Sequence, residues 1–336
     1  MFRPCLILLL CLCLFQCRTT EEGAVQRIEI YDPGLEELLS SETPVEILAR
    51  GFAWAEGPVW VPEANMLLFS DVPANKIYQW SERDGLAQYL APSGYTGADT
   101  LQEGGSNGLL LDASGQLILC QHGDRRVAVM DGPVSDPVPQ FRTMADRYNG
   151  RRLNSPNDLA ALPDGLIYFT DPPYGLDRQD DDPAKELPYA GVYRITDSNQ
   201  VELLIDTLTR PNGIAFSPDF QVMYVAQSDP AKAWWVRFRL EHGVPVEDAL
   251  LYDASEEAAS ESGLPDGLKV HPSGRIFATG PGGVWIFSPE GNVLGKIRTA
   301  QASANCAFDA GYRHLYITSD SLLLRVAMRS MEKSDR

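Results

Sequence analysis

Asn212-Gly213-Ile214-Ala215-Phe216-Ser217-Pro218-Asp219-Phe220-Gln221-Val222-Met223-Tyr224-Val225-Ala226 is the stretch that decides the fold. A polar residue heads a short apolar run, a turn of Ser, Pro and Asp follows, and a second apolar run returns. Five more copies stand in the chain, headed by Glu56-Gly57-Pro58-Val59-Trp60, Asn107-Gly108-Leu109-Leu110-Leu111, Asn157-Asp158-Leu159-Ala160, Asp266-Gly267-Leu268-Lys269-Val270 and Asn305-Cys306-Ala307-Phe308. Their spacing, roughly 40 to 55 residues, is the period of propeller blades. Each copy reads as strand, turn, strand. Asp164-Gly165 and Ser273-Gly274 supply the positive-φ position of a tight hairpin. The second runs, rich in Leu, Ile, Val, Tyr and Phe, suit a largely buried strand. Six such hairpins also fit a large β-sandwich or barrel. The even period and the recurring polar head favour an all-β, six-bladed β-propeller. In that fold the start of every innermost strand meets one axis, so six oxygen-bearing side chains would face a single pocket.

Composition sets the bounds. A chain of 336 residues, 44% of them hydrophobic, has ample length for a core. Its length alone would allow two domains, but all six units are needed to close a ring, so one catalytic domain is expected over 44–328. A formal net charge of -18 argues against nucleic acid or an anionic membrane surface as partner. The expected partner is a small molecule.

The N-terminus reads as a targeting segment. Arg3 precedes an apolar run, Leu6 to Phe15, that is too short to span a bilayer and has the length of a signal h-region. Cys17 follows Leu14-Phe15-Gln16, which resembles the lipobox of bacterial lipoproteins; a relaxed lipobox and ordinary cleavage nearby are both open readings. The expectation is a signal peptide over 1–17, a tether and N-terminal extension over 18–43, and an exported protein. It would be periplasmic or a membrane-anchored lipoprotein, touching the membrane only through a lipid on Cys17. Within the folded part only Cys120 and Cys306 remain, in strands of different blades, and both read as buried thiols. Val45 to Leu48 is expected to close the ring as the outer strand of the blade that holds Asn305, beside Ser321 to Ala327. Two long segments, Ala91 to Ser106 and Pro172 to Ala190, have the length of lids or binding loops. The acidic runs Asp177 to Glu186 and Ser255 to Ser262 read as solvated connectors.

Among the six heads, Glu56, Asn157, Asn212 and Asp266 form the candidate metal set. Two carboxylates and two amide oxygens suit a hard divalent cation, Ca²⁺ ahead of Mg²⁺ or another divalent ion, because rigid strands from separate blades match calcium's looser geometry. Zinc fits less well, since no His or Cys cluster stands at ligand spacing. Taken singly, each head also reads as an ordinary turn residue, Asn-Gly and Asp-Gly being turn dipeptides; the joint recurrence carries the metal reading. Gly104-Gly105-Ser106-Asn107-Gly108 matches a nucleophile-elbow pattern. It lacks the preceding strand and following helix which that motif requires.

Several stretches together resemble the SMP-30/gluconolactonase/luciferin-regenerating-enzyme family, closest to its bacterial gluconolactonase branch. They are Ala55-Glu56-Gly57-Pro58-Val59-Trp60, Leu153-Asn154-Ser155-Pro156-Asn157-Asp158, Tyr168-Phe169-Thr170-Asp171-Pro172-Pro173-Tyr174-Gly175, Arg210-Pro211-Asn212-Gly213 and Pro265-Asp266-Gly267, continuing through Gly282 to Phe287 and Ala304-Asn305-Cys306. The resemblance runs from about Pro44 to Val326. It implies one catalytic divalent cation on Glu56, Asn212 and Asp266, with Asn157 as a ligand or a water-mediated neighbour. It also implies that Asp266 is the acid/base and that the reaction opens a lactone ring. Where some members carry an arginine two residues before the Asn157 position, this chain has Ser155. Asn107, His122, Tyr174 and Asn305 are the expected substrate-binding wall. His122 reads either as a proton shuttle or as a strand-capping histidine. The alternatives are phosphotriester hydrolysis at the same site and a non-catalytic, exported ligand-binding propeller.

Overall fold

The computed structural model describes residues 26–98, 101, 103–196 and 200–330. The signal segment, Cys17 and most of the tether lie outside the described residues. Six four-stranded antiparallel units stand around one axis. Their innermost strands are Ala55–Val61, Ser106–Leu111, Leu159–Ala161, Pro211–Phe216, Leu268–Val270 and Ser303–Phe308, numbered here blades 1 to 6. Each innermost strand touches the next around the ring, and that of blade 6 returns to that of blade 1.

The apolar runs form strands with no polar face because each blade is covered on both sides. Met66–Asp71, Leu117–Gln121, Ile167–Asp171 and Ile276–Gly280 are buried at every position. Their alternate side chains enter different cores. In blade 1, Leu68 joins a cluster shared with blade 2, while Leu67 and Phe69 join one shared with blade 6. Four further clusters fill the remaining blade interfaces. Each fully buried Leu or Phe there contributes about 1.5–3 kcal/mol. The thiols of Cys120 and Cys306 are both free and buried in these clusters.

Residues 27–50 are built into the ring. Val45–Arg50 pairs antiparallel with Leu322–Ala327 and becomes the outer strand of blade 6. Arg27–Ile30 pairs with Val293–Arg298 and gives blade 5 a fifth strand. Leu35, Leu38 and Leu39, around the 3-10 turn Pro33–Glu37, are buried in the cluster between blades 5 and 6. The stretch expected ahead of the ring therefore packs against it, because its alternating Ile28 and following leucines meet an apolar surface.

Gly165 and Gly274 carry φ values of 90° and 84°, as tight hairpin turns require. The glycines that follow the polar heads serve another purpose. A Cβ on Gly213 would lie 2.3 Å from the Asp266 carbonyl oxygen, and one on Gly267 would lie 2.0 Å from Asn305 Cγ. At Gly213 neighbouring blades meet backbone to backbone, and at Gly267 the Asn305 side chain fills the space. Hydroxyls on the second strands tie these contacts: Ser70 Oγ donates to the Asn107 carbonyl at 2.8 Å, and Thr170 Oγ1 to that of Asn212 at 2.6 Å.

Candidate active site

The ladder is interrupted at the head residues. Register shifts separate Glu56 from Val59, Ser106 from Leu109 and Pro211 from Ile214, and in blades 3 and 5 strand pairing begins only after the head. A bulge of this kind re-aims a side chain. Glu56, Asn107, Asn157, Asn212 and Asp266 all line one cavity of about 570 Å³. His122 and Tyr174 line it too.

Backbone and side-chain partners hold each head in place. Asn157 donates its N–H to the Thr170 carbonyl at 2.8 Å and accepts from Gly108 N at 2.7 Å, leaving Oδ1 without a partner. Asn212 Nδ2 donates to Ser228 Oγ at 2.9 Å, and Ser228 Oγ donates to the Pro265 carbonyl at 2.5 Å. Asp266 donates its N–H to the Thr279 carbonyl at 3.0 Å, and its Oδ1 is buried and unpartnered. Asn107 Oδ1 is in the same condition. Glu56 accepts from the Gly57 N–H at 2.8 Å. Unpartnered buried acceptors normally cost about 1–3 kcal/mol each, so several facing one cavity mark a place where an electron-poor group sits. The set is mixed: amides supply half of it, and no three His, Cys, Asp or Glu side chains gather as a metal cluster among the described residues. Hard oxygens of both kinds fit a divalent cation of the calcium type.

Electrostatics point the same way. Burial, with the nearby Asp158 charge, raises Glu56 from 4.5 to about 7. Burial and the charges of Glu56 and Asp158 hold Asp266 well above the usual carboxylate range. Asp158 is the third carboxylate of the group, 4.0 Å from Lys269 Nζ. A divalent cation held between Glu56 and Asp266 would relieve the carboxylate repulsion that helps to raise both.

Asn305 is the exception among the expected residues. It is absent from the cavity wall, because Lys269 Nζ donates to its Oδ1 at 3.3 Å and its Nδ2 reaches Asp158 Oδ2 at 3.5 Å. Its hydrogen bond to Glu56 also lowers that group's pKa. It supports the carboxylates and does not face the cavity. Ser106 Oγ pairs with Ser70 Oγ at 2.8 Å inside the strand Ser106–Leu111, so no nucleophile elbow forms. Ser155 Oγ donates to the Pro172 carbonyl at 2.6 Å and accepts from Gly175 N at 2.8 Å; it shapes the loop that bears Tyr174. His122 Nε2 lies 3.4 Å from Asn107 Nδ2, and burial lowers its pKa to about 4, so the ring is neutral at pH 7. Burial keeps the Tyr174 phenol protonated.

Both long loops reach the cavity. The segment before blade 2 brings Glu103, and the Pro172–Ala190 segment brings Tyr174 and Gln179. Arg210 lies over the Tyr174 ring at 5.7 Å and donates to Gln179 Oε1 at 2.9 Å and Asp180 Oδ2 at 3.3 Å. The acidic connectors are therefore not merely solvated: Gln179 and Glu261 both line the cavity. Sequence reasoning missed Glu103, Asp158, Gln179, Ser228 and Glu261. Only Asp158 carried a signal, as the residue after a polar head where the other blades mostly have glycine.

A sequence profile described as the SMP-30/Gluconolactonase/LRE-like region matches residues 54–321. A gluconolactonase of Zymomonas mobilis is 38% identical over 317 residues, 92% of this chain and 88% of its own. A 6-deoxy-6-sulfogluconolactonase of Pseudomonas putida is 26% identical, covering 83% of this chain and 87% of its own. The solved structure of a gluconolactonase from Xanthomonas campestris superposes with a TM-score of 0.77 at 30% identity, over 91% of this chain and 97% of its own.

Proposed function

We infer the reaction from one premise: this chain belongs to the SMP-30/gluconolactonase/LRE-like family. It is a lactone-ring hydrolase. The finer reading is of a divalent-cation-dependent gluconolactonase-like enzyme, with Glu56, Asn157, Asn212 and Asp266 holding Ca²⁺ in preference to Mg²⁺. The observation that carries it is the pair of buried, unpartnered oxygens, Asn157 Oδ1 and Asp266 Oδ1, facing the same cavity as Glu56. A cation bound there supplies Lewis-acid polarisation of the lactone carbonyl.

The remaining work falls to side chains. The Asp266 carboxylate accepts a proton from the attacking water as the C–O bond to the carbonyl carbon forms. The same proton is returned to the ring oxygen as the ester bond breaks, giving the hydroxy acid. Asn107 and the neutral His122 offer hydrogen bonds to substrate hydroxyls, and Tyr174 closes the wall beside Asp266. Turnover of a glucono-lactone by wild type and Asp266→Asn, with and without EDTA, tests the reading. EDTA-insensitive activity refutes the cation requirement, and full turnover by calcium-loaded Asp266→Asn refutes the base assignment.

A further inference from the structure

Four carboxylates line the cavity, Glu56, Glu103, Glu261 and Asp266, and no Lys or Arg does among the described residues. Three basic groups come near and each is engaged elsewhere. Arg298 is bound by Glu29 and Glu261. Arg210 faces the Tyr174 ring, Gln179 and Asp180. Lys269 is turned below the cavity to Asn305 and the Leu268 carbonyl.

The two carboxylates outside the cation set differ. Glu261 is neutralised by Arg298. Glu103 comes from the long loop before blade 2; its backbone bonds the His122 ring, and its side chain has no hydrogen-bond or ion-pair partner among the described residues. The unpartnered Asn107 Oδ1 is a second acceptor on the wall. A wall of acceptors is satisfied by hydroxyl donors. A phosphate or sulfonate brings only acceptors of its own, with negative charge. Above a pH of about 7, where burial places the titration of the Glu103 carboxyl, it would leave Glu103 facing a like charge with no Lys or Arg on the wall to offset it.

We propose that this cavity selects lactones carrying uncharged hydroxyl substituents, and that Glu103 is the residue that excludes an anionic tail. The proposal rests on the lactonase reading. It separates this chain from a site built for charged sugar lactones, which needs at least one free cation on its wall.

The test compares kcat/KM for glucono-lactone and for its 6-phospho counterpart on the calcium-loaded protein, in wild type, Glu103→Gln and Glu103→Lys. Wild type should favour the neutral lactone by at least about tenfold, like-charge juxtaposition costing several kcal/mol. Glu103→Gln should narrow the ratio and Glu103→Lys narrow it further or reverse it. The ratio between two substrates is insensitive to a merely structural loss, which lowers both. Equal turnover of the two lactones by wild type, or a ratio that neither variant moves, overturns the selectivity and leaves the lactonase reading standing. Failure to open either lactone is the distinct result that removes the lactonase reading, and the selectivity with it.

Discussion

Asn212 Nδ2 donates to Ser228 Oγ at 2.9 Å, which fixes the orientation of the Asn212 amide. Ser228 is itself held by the Pro265 carbonyl, one residue before Asp266, so the amide of blade 4 and the carboxylate of blade 5 are positioned by one hydroxyl. Removing it should loosen both. Ser228→Ala is expected to weaken calcium binding about 10–100-fold, the usual effect of losing an outer partner of a metal ligand. Calorimetric titration against wild type reads this directly.

Glu56 makes the metal-free protein sensitive to pH. Its raised value means that the folded state holds a proton which the unfolded chain has already lost between 4.5 and about 7. The stability that comes from holding it neutral is complete below 4.5 and is lost as the pH rises through about 7. Without metal, Glu56→Gln should melt a few degrees above wild type at pH 8. The gain should vanish near pH 4.5. Calcium should raise the wild-type Tm at pH 8 far more than that of the variant.

Gly213 stands where a Cβ would meet the Asp266 carbonyl at 2.3 Å, and backbone cannot move aside cheaply. Gly213→Ala should cost about 1–3 kcal/mol or more and abolish calcium binding. Gly165→Ala also strains a positive φ, but it meets open space at an exposed hairpin, at the opposite end of strand Leu159–Ala161 from Asn157. It should lose stability and keep calcium affinity. Urea denaturation paired with calcium titration separates the two outcomes.

Arg210 clasps the loop that carries Tyr174 and Gln179 over the cavity. Arg210→Ala should raise KM several-fold while calcium affinity stays within about twofold, since Arg210 touches no proposed ligand. Arg210→Lys should restore little, because a point charge cannot both cover the ring and reach two side chains.

Asp171 is a buried carboxylate whose oxygens accept the N–H groups of Asn154 and Ser155, each at 2.8 Å. Asp171→Asn turns a donor toward one of those N–H groups. It should destabilise the protein by about 1–3 kcal/mol, visible as a lowered urea midpoint with unchanged m-value.

The repeat was legible because each blade needs the same strand, turn, strand pattern. So were the residues that line the axis, because bulged strand heads are where a ring of blades points inward. Glycine was the ambiguous letter. Asn-Gly looks the same in sequence whether glycine supplies a positive φ at a turn or makes room for a neighbouring backbone, as Gly108 and Gly213 do. Asn305 looked like its five counterparts, but its amide is taken up by Lys269 and Asp158, partners that only the closed ring brings to it. Glu103 and Gln179 sit in loops with no periodicity, and Gln179 is held at the cavity by Arg210, which donates to its Oε1, a partner remote in sequence.

The pairing of Arg27–Ile30 with blade 5 and of Val45–Arg50 with blade 6 orders events during synthesis. Blades 1 to 4 can assemble from strands that leave the ribosome in succession. Residues 27–30 and 45–50 cannot, since their partners are made last. They must wait, unpaired, while most of the protein folds beside them. Birth order and structural order run opposite ways here: residues 27–50, made before any blade, are among the last to find their place.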